Sequence, residues 1–202
     1  MSLMVMTEHR TLAVIALATL ASGCTSQVVI GTDFPTPLVE ALPVRMGVIF
    51  PEELYNFIHS EAIPQQSTWT IDLGDANVAM FQPLFASMFA ETLDVSDVPV
   101  SPGEMGRVDG VLRPVLEKFE FDVPIGERDE FVEVWMQYRL TLYEPNGDIV
   151  TEWPVSGYGK AELDGKREQA VQRAAIVAMR EVGAAISTQF ITQPDVYFWL
   201  EE

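Results

Sequence analysis

The stretch Phe131 to Trp153, FVEVWMQYRLTLYEPNGDIVTEW, decides how this chain folds. Val132, Val134, Met136, Tyr138, Leu140 and Leu142 occupy alternate positions, so an extended backbone puts all six on one face. The opposite face carries Glu133, Gln137, Arg139 and Thr141 among Phe131, Trp135 and Tyr143. One face therefore belongs in a core and the other is half exposed. Asn146-Gly147 follows, the dipeptide most tolerant of positive φ, and it turns the chain into a hairpin. The return strand runs from Ile149 to about Lys160, with Ile149, Trp153 and Val155 on one face and Gly157 and Gly159 marking where it bends or loosens.

Upstream, Val108 to Phe121 reads as a further long strand, with Gly110 and Pro114 pointing to a bulge or an edge position. Gly74-Asp75 opens a helix that the pattern Val78, Phe81, Phe85, Met88, Thr92 carries to about Leu93, with Pro83 as a kink or irregular turn. That aromatic and methionine stripe is a core face. The alternative is a binding module in which Phe81, Phe85 and Met88 hold a small apolar ligand such as a lipid against the sheet. Thr68 to Leu73 and Val44 to Phe50 alternate as strands, and Glu52 to Ile58 is a short helical turn or a ragged strand. Downstream, a helix begins at Lys166 or Arg167 and runs to about Phe190. Its face of Ala170, Ala174, Val177, Ala178, Ala185 and Ile186 can lie close on a sheet. The tail Val196 to Leu200 is either pinned onto the domain or an exposed contact patch, with pinning preferred. The fold class is α+β: two helices packed on one face of a mainly antiparallel sheet, in β-α-β-β-β-α order.

Ahead of this domain, Thr11 to Ala21 is an apolar run of 11 residues after Arg10. It is too short to span a bilayer, which takes about 20, and suits the hydrophobic segment of an export signal. Leu20-Ala21-Ser22-Gly23-Cys24 closes it, and Cys24 is the only cysteine of the chain. These residues resemble a bacterial lipoprotein signal, whose lipobox has the form Leu-Ala/Ser-Gly-Cys. The resemblance implies that residues 1–23 are a signal peptide and that Cys24 is the lipidation site. A cysteine sulfur is the side chain nucleophilic enough to take a diacylglyceryl group, and stable anchoring takes more than one acyl chain. An ordinary secretory signal cleaved at the same small residues is the alternative. Residues 24–42, with Gly31, Pro35 and Pro37, read as a lipidated tether, and residues 43–202 as a single periplasmic domain.

The 30 acidic against 12 basic residues give a net charge of −18. A basic surface for nucleic acid is excluded, as is a polybasic grip on anionic lipid. His59 is the one histidine beyond the signal, so no His/Cys metal site can be composed. No nucleophile elbow and no Gly-rich phosphate loop is present. The expectation is a protein without cofactor or metal and without catalytic residues. A hydrolase using converging carboxylates is the second alternative.

The lipobox, a short tether and the β-α-β-β-β-α order resemble two groups of envelope lipoproteins. One is the auxiliary lipoproteins of ABC-type lipid transport, and the other is the lipopolysaccharide-assembly lipoprotein. Beyond the lipobox, Gly110-Val111-Leu112-Arg113-Pro114, Val134 to Tyr143 and Asn146-Gly147 carry the likeness. The acidity favours the first group. The resemblance implies a non-enzymatic accessory subunit that docks on envelope transport or assembly proteins, homo-oligomers included. Its membrane link is the lipid anchor. Thr25 after Cys24, rather than Asp, implies delivery to the periplasm-facing side of the outer membrane.

Overall fold

The structure is a computed structural model that describes residues 25–64, 67–103, 106–124 and 130–201. The elements in order are β1 (Thr25–Val29), β2 (Leu42–Val48), α1 (Glu52–Tyr55), β3 (Ile58–Ala62), β4 (Thr68–Asp72), α2 (Gly74–Met88), β5 (Phe89–Asp94), β6 (Gly110–Asp122), β7 (Phe131–Tyr143), β8 (Ile149–Glu162), α3 (Arg167–Gln189) and α4 (Pro194–Glu201). The class is α+β, as the residue pattern requires. A five-stranded sheet has the order β5-β2-β6-β7-β8, and a three-stranded sheet has the order β1-β4-β3. The long strands β6, β7 and β8 form the antiparallel meander, whereas β5, β2 and β6 join one another in parallel.

Val132, Val134, Met136, Tyr138, Leu140 and Leu142 are all fully buried, so the alternation in β7 does what its sequence demands. The hairpin beyond it closes with Gly147 at φ 97°. A register shift at Leu142/Tyr143 turns Ile149 outward, to 60% exposure, although the alternation places it with Trp153 and Val155. In β6 the bulge lies between Leu116 and Lys118, not at Gly110 or Pro114. Proline is tolerated at 114 because β2 pairs with β6 only over Gly110–Leu112. Beyond that point the missing N–H faces no partner strand. Gly110 serves packing instead: a Cβ there would lie 2.6 Å from the ring of Trp199.

Further sequence expectations need correction. The helix read to Leu93 ends at Met88, where Phe89 turns extended (φ −122°, ψ 152°) and the chain becomes β5. Phe89 and Leu93 carry on the helical spacing, but pairing with β2 wins over local pattern. The tether read over 24–42 is not free chain, because Thr25–Val29 pairs in parallel with β4, and Val28 and Ile30 are buried. Val177 faces solvent, while Val171, Ala175, Met179 and Val182 share the buried face of α3 with Ala170, Ala174 and Ala178.

That face of α3 lies on β8 at backbone contact. A Cβ on Gly157 would sit 2.2 Å from the Ala178 carbonyl oxygen, and one on Gly159 would sit 1.9 Å from that of Ala174. The two glycines thus do not loosen the strand; they admit the helix. The backbone N–H of Tyr158 between them points to the sheet edge, where it donates to the Glu181 carboxylate at 2.6 Å. The helix in this way also caps part of an edge that would otherwise be open for pairing.

Helix α2 covers the same face of the sheet. Phe81 stacks on Phe85 and meets Tyr138 edge-on, at centroid distances of 5.3 and 5.2 Å. One polar chain crosses this layer. The Tyr138 hydroxyl donates to Asn77 Oδ1 at 2.6 Å, and Asn77 Nδ2 donates to the Leu54 carbonyl at 2.9 Å. Burial pushes the Tyr138 phenol well above its ordinary value of 10.0.

Two outcomes follow. Gly159→Ala destabilises the fold by at least about 3 kcal/mol, the top of the overpacking range, because the clash is with backbone; urea unfolding at neutral pH measures it. Tyr138→Phe costs about 1–3 kcal/mol by leaving Asn77 Oδ1 without a donor. The folded phenol holds its proton more tightly than the unfolded one. Wild-type stability is thus intact below the ordinary tyrosine value and falls as pH rises from there toward the folded value. Unfolding midpoints read across that alkaline range show this loss in wild type and lack the Tyr138 share of it in Tyr138→Phe.

Candidate functional site

Of the residues singled out in the sequence, Cys24 lies outside the described residues. Phe81, Phe85 and Met88 are nearly fully buried, at 0–3% exposure. Phe81 and Phe85 pack on one another, on Tyr138 and on Phe89. The space that a small ligand could fill lies instead on the neighbouring stripe of α2, one residue behind Phe81 and Phe85, at Met80 and Leu84.

There a cleft of about 240 Å³ separates α2 from the C-terminal half of α3. Its sides are Met80 and Leu84 from α2 and Met179, Gly183 and Ala184 from α3, and its roof is Phe34, Pro35 and Pro37. The roof belongs to a strap of irregular chain between β1 and β2. Ile30 fixes the strap at its start, buried and with its N–H on the Asp72 carbonyl, and Phe34 and Val39 pack against the core farther on. Its prolines restrict φ and hold it extended without a ladder. The lining is almost all carbon, with Arg180 and Ser187 as the polar exceptions. Arg180 pairs with no carboxylate among the described residues; its guanidinium reaches the Asp33 carbonyl at 3.5 Å. The stripe was legible in the sequence, but which side of it stays open depends on how α3 and the strap approach.

His59 is committed elsewhere. Its ring packs on Phe119 and Phe121 at 5.1 and 5.7 Å, and Nε2 lies 3.1 Å from Glu61. No group of His, Cys, Asp or Glu among the described residues could hold a metal ion. On the open face of the meander, Glu120, Asp122 and Glu133 surround a shallow depression with Trp135 and Tyr158. Lys160 and then Tyr158 donate to Glu133 and hold its carboxyl below the usual range. Arg139 and then Gln137 do the same to Glu117, and Arg45 to Asp109. At Glu133, Glu117 and Asp109 the neighbours thus favour the ionised form, whereas a general acid needs its proton held.

The tail is pinned on one face and exposed on the other. Val196 is buried, and Trp199 and Leu200 pack on the core, while Tyr197 and Phe198 are exposed at 51% and 64%. Tyr197→Ser and Phe198→Ser therefore shift stability by no more than about 0.5 kcal/mol. Val196→Ala removes a buried side chain and lowers the thermal midpoint measurably; calorimetry on the variants separates the two faces.

No family model matches the chain, and no curated protein matches its sequence. Solved structures similar to it include a Xanthomonas campestris protein of the DUF330 family, at 11% identity and a TM-score of 0.46, covering 83% of this chain and 96% of that one. A Helicobacter pylori protein described as a homolog of a neuraminyllactose-binding hemagglutinin is 12% identical, with a TM-score of 0.48 and coverage of 86% and 97%. A minor lipoprotein from Acinetobacter baumannii is 6% identical, with a TM-score of 0.43 and coverage of 74% and 92%.

Proposed function

We propose that the chain is a lipid-anchored, non-enzymatic accessory subunit of the bacterial envelope, held at the periplasm-facing side of the outer membrane. The observation that carries this is Leu20-Ala21-Ser22-Gly23-Cys24 standing immediately before the first strand. Cysteine is the residue that lipid attachment needs, and it occurs once, at the one place where attachment would tether the domain. The packed surroundings of His59 support a role without catalysis.

The anchor reading also orients the domain. Ser26 Oγ donates to Glu168 Oε1 at 3.0 Å, so β1 starts beside the first turn of α3. The 23 residues of α3 run about 34 Å from there, at 1.5 Å per residue. The anchored end is thus the N-terminal end of α3. The pole that carries Tyr197 and Phe198 points away from the membrane, toward partner proteins of a transport or assembly machine. Anchoring through one residue ahead of β1 holds the domain close to the bilayer rather than on a long tether.

Labelling cells with a palmitate analogue tests the reading. The wild-type protein takes the label and sediments with outer membranes. Cys24→Ala takes none and is recovered in the soluble periplasmic fraction. Label or membrane retention in Cys24→Ala would reject the anchor.

A further inference from the structure

We infer that the cleft between α2 and α3 is a binding site for one acyl chain bearing an anionic head, with Arg180 as the contact for that head. The inference does not depend on the anchor. It starts from Gly183. Glycine in the middle of a helix or strand is destabilising, and at the strand positions Gly157, Gly159 and Gly110 the packing explains it, since a Cβ would collide with neighbours. Gly183 has no such reason. It is buried, yet a Cβ there would meet only Leu84, at 4.0 Å. What the missing side chain provides is room, and the room opens into the cleft.

The lining sets the class of ligand. Phe34, Pro35, Pro37, Leu84, Met80 and Met179 offer carbon and thioether, and methionine walls adapt to flexible chains. A volume of about 240 Å³, at roughly 30 Å³ for a water-sized group, takes about eight methylenes. That is one chain, not two, and too little for a partner helix. The charge at the cleft adds to this, since Arg180 is the cation in its lining. Arg45, Arg113, Arg139, Arg173 and Lys160 each hold a carboxylate. In a chain of net charge −18, Arg180 stands at an apolar opening and, among the described residues, makes only a long contact to a carbonyl. A carboxylate or phosphate at the end of an acyl chain completes it with a charge-assisted hydrogen bond.

The experiment uses the full-length Cys24→Ser protein, which has no acyl group of its own to compete, with ¹³C-methyl methionine. Decanoate is expected to shift the Met80 and Met179 methyl resonances and leave those of the core residues Met46 and Met136 in place. Arg180→Gln weakens decanoate about three- to tenfold and leaves decanol unchanged. Gly183→Leu fills the cleft and removes both ligands, with an unfolding midpoint no lower than wild type. Native mass spectrometry after incubation with phosphatidylglycerol vesicles distinguishes the sources by mass: a retained free fatty acid lies wholly in the cleft, and a retained phospholipid places one of its two chains there and leaves the other outside. Methyl resonances that ignore decanoate, or a folded Gly183→Leu that still binds it, would overturn the proposal. So would an equal loss of decanoate and decanol in Arg180→Gln, or methyl shifts that follow protein concentration alone and so place a second copy in the cleft.

Discussion

The depth at which α3 lies on β8 governs the rest of the molecule. Gly157 and Gly159 let the backbone of the helix come down on the strand at Ala178 and Ala174. Everything attached to the outer side of α3 inherits that position. Glu181 reaches the Tyr158 N–H, Gln172 donates to the Val29 carbonyl, and Gly31 lies against Ile176. Lifting the helix by the thickness of a methyl group would loosen the edge cap, the small sheet and the strap together. Small residues on both partners are thus a single structural device, and apolar area alone would not have specified it.

The second helix is fixed by different means. The inner face of β7 is carbon except for the Tyr138 hydroxyl, and that hydroxyl is satisfied only by Asn77. A buried donor without an acceptor is costly, so the rotation of α2 is set by this bond as much as by Phe81 and Phe85. The two helices are therefore held to the sheet independently. Neither can slide to close the space between them, and the cleft at Gly183 is what remains. Hydrophobic collapse would fill such a gap if either helix were free to move. Its persistence follows from two separate constraints on one sheet.

Residue pattern made the meander legible because burial on one face of β7 imposes a period of two that no helix shares. The Asn146-Gly147 turn and the long α3 were legible for similarly local reasons. Of the strands that failed to show, Ile58–Ala62 among them, β1 and β5 are the plainest cases. Neither has a pattern of its own: β1 is largely polar, and β5 continues the helical spacing of α2 until Phe89 turns extended. Both exist through pairing with β4 and β2, and pairing partners distant in sequence leave no mark on a short segment. The same limit applied to the cleft. Phe81, Phe85 and Met88 were readable as one stripe, but the stripe turned out to be core. Met80, Leu84 and Gly183 acquire meaning only when α2, α3 and the strap are seen together.

The acidity of the chain bears on the proposed anchor at Cys24. A surface with 30 acidic and 12 basic residues is repelled by anionic headgroups, and at physiological salt that repulsion acts within about 8 Å. On the proposed anchor at Cys24, one residue ahead of β1, the domain would spend its time inside that distance. Stable attachment then cannot come from the protein surface and has to come from buried methylenes, at about 0.8 kcal/mol each. The repulsion has a use of its own. On the proposed anchor it would keep the domain from lying flat on the lipid, and so leave the pole with Tyr197 and Phe198 and the mouth of the cleft at Arg180 accessible from the aqueous side.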